Sequence, residues 1–415
     1  MKKSRQTKIR GPATRRKLKA GSAASPGSCD SKRAIDLVMQ LMAIPGASGR
    51  EEAVAQFITN QLEAAGAPKS AICFDNAHQR TPFDAQIGNL LLRLPGTTRQ
   101  GRRMLTAHLD TVPICVGSRP VRKGKWVRSA DAHTGLGADN RAGCAVLLNT
   151  AIEIFRRKLP HPPLIFCWFI QEEIGLQGSR AATRSLWGKP RLAFNWDGGS
   201  PTKLTIGATG GYRTSIEVEG IASHAGGAPE HGVSAITIAS LAIADLHQRG
   251  WHGDIHQNGK HGTSNVGVIQ GGAATNVVTD RLSIRAEARS HDPKFRKLIL
   301  REIERAFKDA VQQVRNVGGK RGKVRFDTNL DYESFLLKQD EPCVLLAEST
   351  IRALGQEPVR AVANGGVDAN WMTAHGVPTV TLGCGQRFQH TVSETLNLDE
   401  FTMACEIGLR LATGD

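Results

Sequence analysis

The chain has 415 residues, 40% of them apolar, which is enough for a sizeable core or two. Its longest apolar run, residues 162–170, is too short for a helix that crosses a bilayer. The formal net charge is +16, but residues 1–33 carry eleven Lys or Arg against one acid, Asp30, so +10 of it belongs to that stretch. With its Gly, Ser, Pro and Ala the segment cannot bury enough apolar surface to fold alone, and it reads as a disordered basic tail. It lacks the apolar centre of a secretory signal, and its charge suits salt-sensitive contact with nucleic acid. Eight cysteines, none in a C-x-x-C pair and several within apolar runs, point to a reducing compartment, the cytoplasm.

From residue 34 the pattern Ile35, Leu37, Val38, Leu41, Met42 has helical spacing and stops at Ile44-Pro45-Gly46. A second helix over 51–65 sets Val54, Phe57, Ile58 and Leu62 on one face. Residues 87–94 and 104–108 read as strands, whereas 116–128 is basic and without period. The strand at 104–108 ends in His108-Leu109-Asp110, and side chains two apart in a strand share a face. An imidazole backed by a carboxylate is the usual form of a metal-binding histidine. A glycine loop from Gly135 leads to Asp139 at a helix start, where a capping aspartate and a functional one fit equally well.

The apolar run continues the series. It reads as a strand covered on both faces and runs directly into Glu172 and Glu173. Residues 192–196 form a strand ending in Asp197, and 378–382 a strand followed by the loop of His390. Strands alternating with helices predict an α/β fold with a mixed, mainly parallel sheet flanked by helices. Ligands in such sheets bind beyond the carboxyl ends of the strands, and these residues all fall at that edge. Any one of them is explicable as a solvated strand end. Together, so many carboxylates need a reason to gather, and a pair of divalent cations supplies it.

Between about 206 and 321 the texture changes to alternating strands, a helix over 235–247, further strands at 264–269 and 281–288, and a charged helix over 294–314. This order predicts a small α+β sandwich inserted into the larger domain, with 315–321 as the return linker. The division is then a tail (1–33), a catalytic domain in two parts (34–205 and 322–415) and the insert (206–321). His252, His256 and His261 fall in what reads as a polar loop of the insert and are taken as solvated.

The ordered motifs resemble a known family, the dizinc exopeptidases that include peptidase T, aminoacylase and glutamate carboxypeptidase. The matching stretches are His108-Leu109-Asp110-Thr111-Val112-Pro113, Gly137-Ala138-Asp139-Asn140-Arg141-Ala142-Gly143, Glu172-Glu173-Ile174-Gly175, Asp197-Gly198-Gly199 and His390. In the insert they are Ala222-Ser223-His224-Ala225-Gly226, Gly232-Val233-Ser234-Ala235-Ile236, Thr275-Asn276 and Glu287-Ala288-Arg289-Ser290, followed by Gly365-Gly366-Val367-Asp368-Ala369-Asn370. The likeness covers about 34 to 412 and is greatest to the peptidase T-like branch. It departs at Asn140, where many members carry a second Asp that is not a ligand.

What the resemblance implies is a zinc-exopeptidase-like fold with a lid and dimerisation domain, two zinc ions per subunit (cobalt or manganese as substitutes), and a homodimer. Asp139 bridges the metals, His108 and Asp197 complete one, and Glu173 and His390 the other. Asp110 orients His108, and Glu172 is the general base. His224 reaches across the dimer to the oxyanion. Asn276 and Arg289 hold the substrate's backbone or terminal carboxylate, while Gly365, Gly366 and Asp368 shape its pocket. The expected activity is removal of the amino-terminal residue from short peptides, as by a tripeptidase. Asp at 197 favours this, because carboxypeptidase and acylase members tend to have Glu. The alternative enzyme is an amidohydrolase or carboxypeptidase acting on N-acyl amino acids or carboxyl-terminal residues. A binding protein on the same scaffold would be expected to have lost a ligand or the base, and none is missing.

Overall fold

The computed structural model describes residues 28–257 and 259–414. The expected basic tail lies outside these residues up to 27, but its last residues do not behave as a tail. Ser31–Ala43 is a helix whose N-cap, Asp30, accepts from the Arg33 N–H, and Arg33 pairs with the buried Glu153. That pairing draws the helix start three residues earlier than hydrophobic spacing alone places it. Among the described residues no helix is long and apolar enough to cross a membrane.

A large mixed sheet organises the chain. Its four central strands lie in the order Leu164–Phe169, Arg103–His108, Leu192–Trp196, Thr379–Leu382, all mutually parallel. Leu90–Leu94 and Ile72–Phe74 extend one side antiparallel, and Lys203–Ala208, Phe335–Leu336 and Val359–Ala363 the other. The Leu164–Phe169 strand shows why such a run must be central. Phe166 and Trp168 enter one core while Ile165, Cys167 and Phe169 enter another on the opposite face. Full burial of each large side chain contributes roughly 1.5–3 kcal/mol. The parallel alignment brings the carboxyl ends of all four strands to one edge.

A second, five-stranded sheet comprises Gly253–Gln257, Lys260–Gly271, Arg281–Ser290, Gly210–Glu219 and Lys323–Tyr332, in that spatial order. Ile216, Val218, Leu282 and Ile284 pack against the helices Ala235–Gln248 and Pro293–Gln313. The other face, with Arg213, Ser215 and Arg285, is open. Ser234, accepting from the Thr237 N–H, and Asp292, accepting from the Lys294 and Phe295 N–H groups, cap these helices.

Two expected boundaries move. Lys203–Ala208 belongs to the large sheet, so 206 falls inside a strand. At the other end, Lys323–Tyr332 pairs with Gly210–Glu219, so the turn closed by the Arg315 and Arg321 bridge is internal to the smaller unit. The chain rejoins the large sheet at Phe335. The segment without period also acquires structure: Pro120–Lys123 and Trp126–Ser129 form a hairpin that joins Thr395–Asn397 and Gln386–Arg387 in a small sheet. Pairing with residues more than 250 positions away gives no local signal.

Candidate metal centre

The carboxyl edge of the large sheet gathers His108, Asp110, Asp139, Glu172, Glu173, Asp197 and His390 in one place. His108 ends its strand almost fully buried, and its Nε2 lies 3.3 Å from Asp139 Oδ1, 3.9 Å from Glu172 Oε2 and 4.0 Å from Asp197 Oδ2. Across the cleft, His390 Nε2 lies 3.4 Å from Asp139 Oδ2 and 3.0 Å from Glu173 Oε2. Asp139 therefore turns one carboxylate oxygen toward each imidazole. Two three-residue sets have ligand atoms within 4.8 Å of one another: His108, Asp139, Glu173 and His108, Glu172, Asp197.

Asp139 takes this role because it does not cap its helix. It is extended (φ −83°, ψ 105°), and the capping bond comes from the next residue: Asn140 Oδ1 accepts from the Gly143 N–H at 3.1 Å. Asn140 also donates to the Trp196 carbonyl at 2.7 Å and accepts from Gln386 Nε2 at 3.0 Å. An ionised Asp there has no proton to donate to the carbonyl, which gives the departure from the family pattern a structural role away from the cleft.

Asp110 is wholly buried and does more than back one histidine. His108 Nδ1 lies 3.2 Å from its carbonyl oxygen and 3.3 Å from its Oδ1. The same carboxylate accepts from the Glu172 N–H at 2.9 Å, the Glu173 N–H at 3.1 Å and Ser48 Oγ at 2.6 Å. It thus fixes the turn that presents both glutamates.

The electrostatics express crowding. Burial pushes the Glu172 carboxyl well above its ordinary range, with His108 opposing and Glu173 and Asp197 adding to the rise. Burial and the Asp139 charge do the same to Asp197. Glu173 is pushed up to about 7, first by burial and then by Asp139. Burial opposes ionisation of Asp139 too, but the imidazoles of His108 and His390 beside it outweigh that and hold it low. Hydrogen bonds to Asp139 and Glu173 raise His390 to about 10. Such a cluster must take up protons or cations to remain compact. Asp139 Oδ1, buried and without a hydrogen-bond partner among the described residues, together with the imidazole and carboxylate donor set, fits divalent cations of the zinc type.

The cleft encloses about 330 Å³ and is lined on its far side by Arg213, Arg289, Tyr332, Gly365 and Gly366. Arg289 and Gly366 thus line the same cleft as Asp139, Glu172, Glu173, Asp197 and His390. Asp368 is buried nearby at the start of Ala369–Ala374, its carboxyl raised to about 6 by burial. His224 and Asn276 are not among the cleft-lining residues. They neighbour each other, with the Ala225 N–H donating to the Asn276 carbonyl at 2.9 Å. His224 itself is exposed, its Nδ1 accepting from the Gly226 and Gly227 N–H groups.

The sequence reading missed Glu394. Almost wholly buried, it accepts from the Gly137 N–H at 2.7 Å on Oε2 and from the Asp139 N–H at 2.9 Å on Oε1. Its position four residues after His390 was the available signal. Arg213, which pairs with Asp331 at 2.7 Å, was also missed, because only strand pairing brings it beside Arg289.

Fold and cluster together define a hydrolase of the metallopeptidase class. The chain belongs to the peptidase family M20/M25/M40, whose model matches residues 104–414. It is similar to a tripeptidase from Staphylococcus aureus subsp. aureus Mu50 (27% identity, TM-score 0.82, covering 93% of this chain and 98% of that one). It is similar also to the aminopeptidase PepT from Bacillus cereus ATCC 10987 (28% identity, TM-score 0.78, covering 93% and 98%). Among curated sequences, the uncharacterized protein YqjE of Bacillus subtilis strain 168 is 28% identical over 379 residues, 91% of this chain and 97% of that protein. The likenesses to the tripeptidase and to PepT support the peptidase T-like branch.

Proposed function

We propose that this peptidase is a dizinc aminopeptidase that releases the amino-terminal residue of short peptides. The observation that carries the reading is the Asp139 carboxylate, with one oxygen facing His108 and the other His390. Asp139 would be shared between two ions, Asp197 and His108 holding one, Glu173 and His390 the other. When bound, the two ions would supply an activated water and polarise the scissile carbonyl. Glu172 adjoins this set and takes the proton of the attacking water, then passes it to the leaving amine. Asp110 holds Glu172 and His108 in register through the bonds above. Arg289, and Arg213 beside it, offer guanidinium groups to the substrate's carboxyl end. Similarity to proteins called a tripeptidase and an aminopeptidase supports the choice of an amino-terminal cut.

The reading includes a homodimer. Its support is that His224 and Asn276, on the smaller unit, do not line the cleft of their own chain, and that Val277 and Ile236 beside them are exposed. With Nδ1 accepting two N–H groups, neutral His224 carries its proton on Nε2, the donor an oxyanion in the partner's cleft requires. The smaller unit would then act as lid and dimer surface. Eight free cysteines favour a reducing compartment, the cytoplasm. Contact of the basic tail with nucleic acid belongs to the reading as a secondary, separable property.

The test is metal content per chain together with hydrolysis of Ala-Ala-Ala and its N-acetyl analogue, for wild type and Glu172→Ala. Two metals in both proteins, with cleavage only by wild type and only of the free peptide, is the expected result. Cleavage of the acetylated substrate instead would favour the amidohydrolase, and no bound metal would overturn the ligand assignment.

A further inference from the structure

Of the histidines that the sequence places in a polar loop, His256 and His261 stand instead on paired strands. Gly253–Gln257 and Lys260–Gly271 form a hairpin in which His256 and His261 are direct cross-strand partners. Side chains so placed stand about 5 Å apart at Cβ. Asp254, two residues before His256, shares its face, while Ile255 between them enters the core. The Asp254 carboxylate divides between the two rings: Oδ1 lies 2.7 Å from His261 Nε2 and Oδ2 3.0 Å from His256 Nε2, the rings being 4.7 Å apart. One ligand atom from each residue lies within 4.8 Å of the other two.

Packing does not explain this convergence. The three side chains are 67%, 70% and 45% exposed, so water competes for every bond and the cluster contributes little to the fold. We propose that Asp254, His256 and His261 form a further metal site, separate from the cleft, for a divalent transition ion such as zinc. Ligand atoms around tetrahedral zinc, with bonds of about 2.0–2.1 Å, stand roughly 3.3 Å apart. The donor pairs of Asp254 with the two rings therefore lie close to the required spacing before any ion binds. Two imidazoles and one carboxylate suit zinc, nickel or copper and not magnesium or calcium, which take oxygen ligands. The remaining coordination position faces solvent.

The site has a defined place relative to the cleft. Asp254 is paired with Thr263 and Thr263 with Arg289, so the ion would sit on the open face of the smaller sheet, two strands from an arginine that lines the cleft. Two strand spacings are about 10 Å, so the sites share no ligand.

The test uses the full chain, stripped by chelation and then equilibrated by dialysis against graded zinc. Bound ions per chain are counted for wild type, His256→Ala, His261→Ala and the double variant, with peptide hydrolysis followed in parallel. The expected result is one ion fewer per chain in the double variant than in wild type at the same free zinc, with hydrolysis unchanged. Equal ion counts in wild type and double variant at every zinc concentration would overturn the proposal. Because the readout is a difference between proteins with identical clefts, it does not depend on how many ions the cleft holds. An error in the dizinc reading would change both counts together.

Discussion

Glu394 touches neither a predicted ligand's side chain nor the open cleft, yet it holds the backbone that aims Asp139. In Glu394→Gln, one terminal atom still accepts a backbone N–H, while the new amide nitrogen meets the other N–H donor to donor. Bonds of this kind to a charged acceptor contribute about 1.5–3 kcal/mol each, and a buried donor left unpaired adds to the loss. The substitution is expected to cost about 2–4 kcal/mol, borne by the Gly137–Asp139 turn. At 1.4 kcal/mol per decade, a loss felt wholly in Asp139 placement weakens metal binding by roughly 30- to 700-fold. Competition against a chromogenic chelator measures that affinity, alongside kcat and KM for a tripeptide. Unchanged metal affinity and unchanged kcat, with only a lowered melting temperature, would refute the reasoning: Glu394 would then merely staple the loop.

Further outcomes follow from other residues. Mixing His224→Ala with Glu172→Ala, each inactive alone, is expected to restore part of the activity if subunits exchange; no recovery despite demonstrated exchange counts against action across the dimer. Glu51 is a buried carboxyl pushed up to about 7 by burial and by Asp110. Folded, it keeps its proton to about pH 7, but unfolded it loses it near 4.5, so the unfolded state binds fewer protons in that window and stability falls as pH rises through it. Glu51→Gln retains an acceptor for the Gly49 and Gln171 N–H groups, which both bond Oε1. It is therefore expected to be more stable than wild type above pH 7, by on the order of 3 kcal/mol, and to show no advantage below pH 4.5. A constant difference across pH would exclude the titration. Arg33→Ala leaves the buried Glu153 short of a partner and is expected to destabilise the chain by about 3 kcal/mol, read by chemical denaturation.

The chemistry of the cleft was legible residue by residue. His108, Glu172, Glu173 and Asp197 each follow an apolar strand, and the parallel sheet such strands imply has a single carboxyl edge. The general placement of the site therefore needs only periodicity and the rule for open α/β sheets. The strands themselves lie within a few residues of where alternation and apolar runs place them. Asp139 was identified, but not the reason it is free: nothing local distinguishes it from a cap, and only the bond from Asn140 to Gly143 releases it.

Other features depend on partners distant in sequence. The hairpin at Pro120–Ser129 has no period because one of its strands, Trp126–Ser129, pairs with the region around 395, which supplies the missing half of the pattern. Arg213 enters the cleft through register with Arg281–Ser290, and the histidines near 256 become ligands in waiting only because two strands place them opposite each other. By itself, then, the sequence determined which side chains could carry chemistry and at which edge they gather, since these follow from residue type and strand period. Tertiary structure decided which carboxylates face which imidazoles, which acid holds the loop beneath them, and that His224 and Asn276 do not line the cleft of their own chain. Those relations are set by contacts between segments far apart in the chain, for which local propensity carries no information.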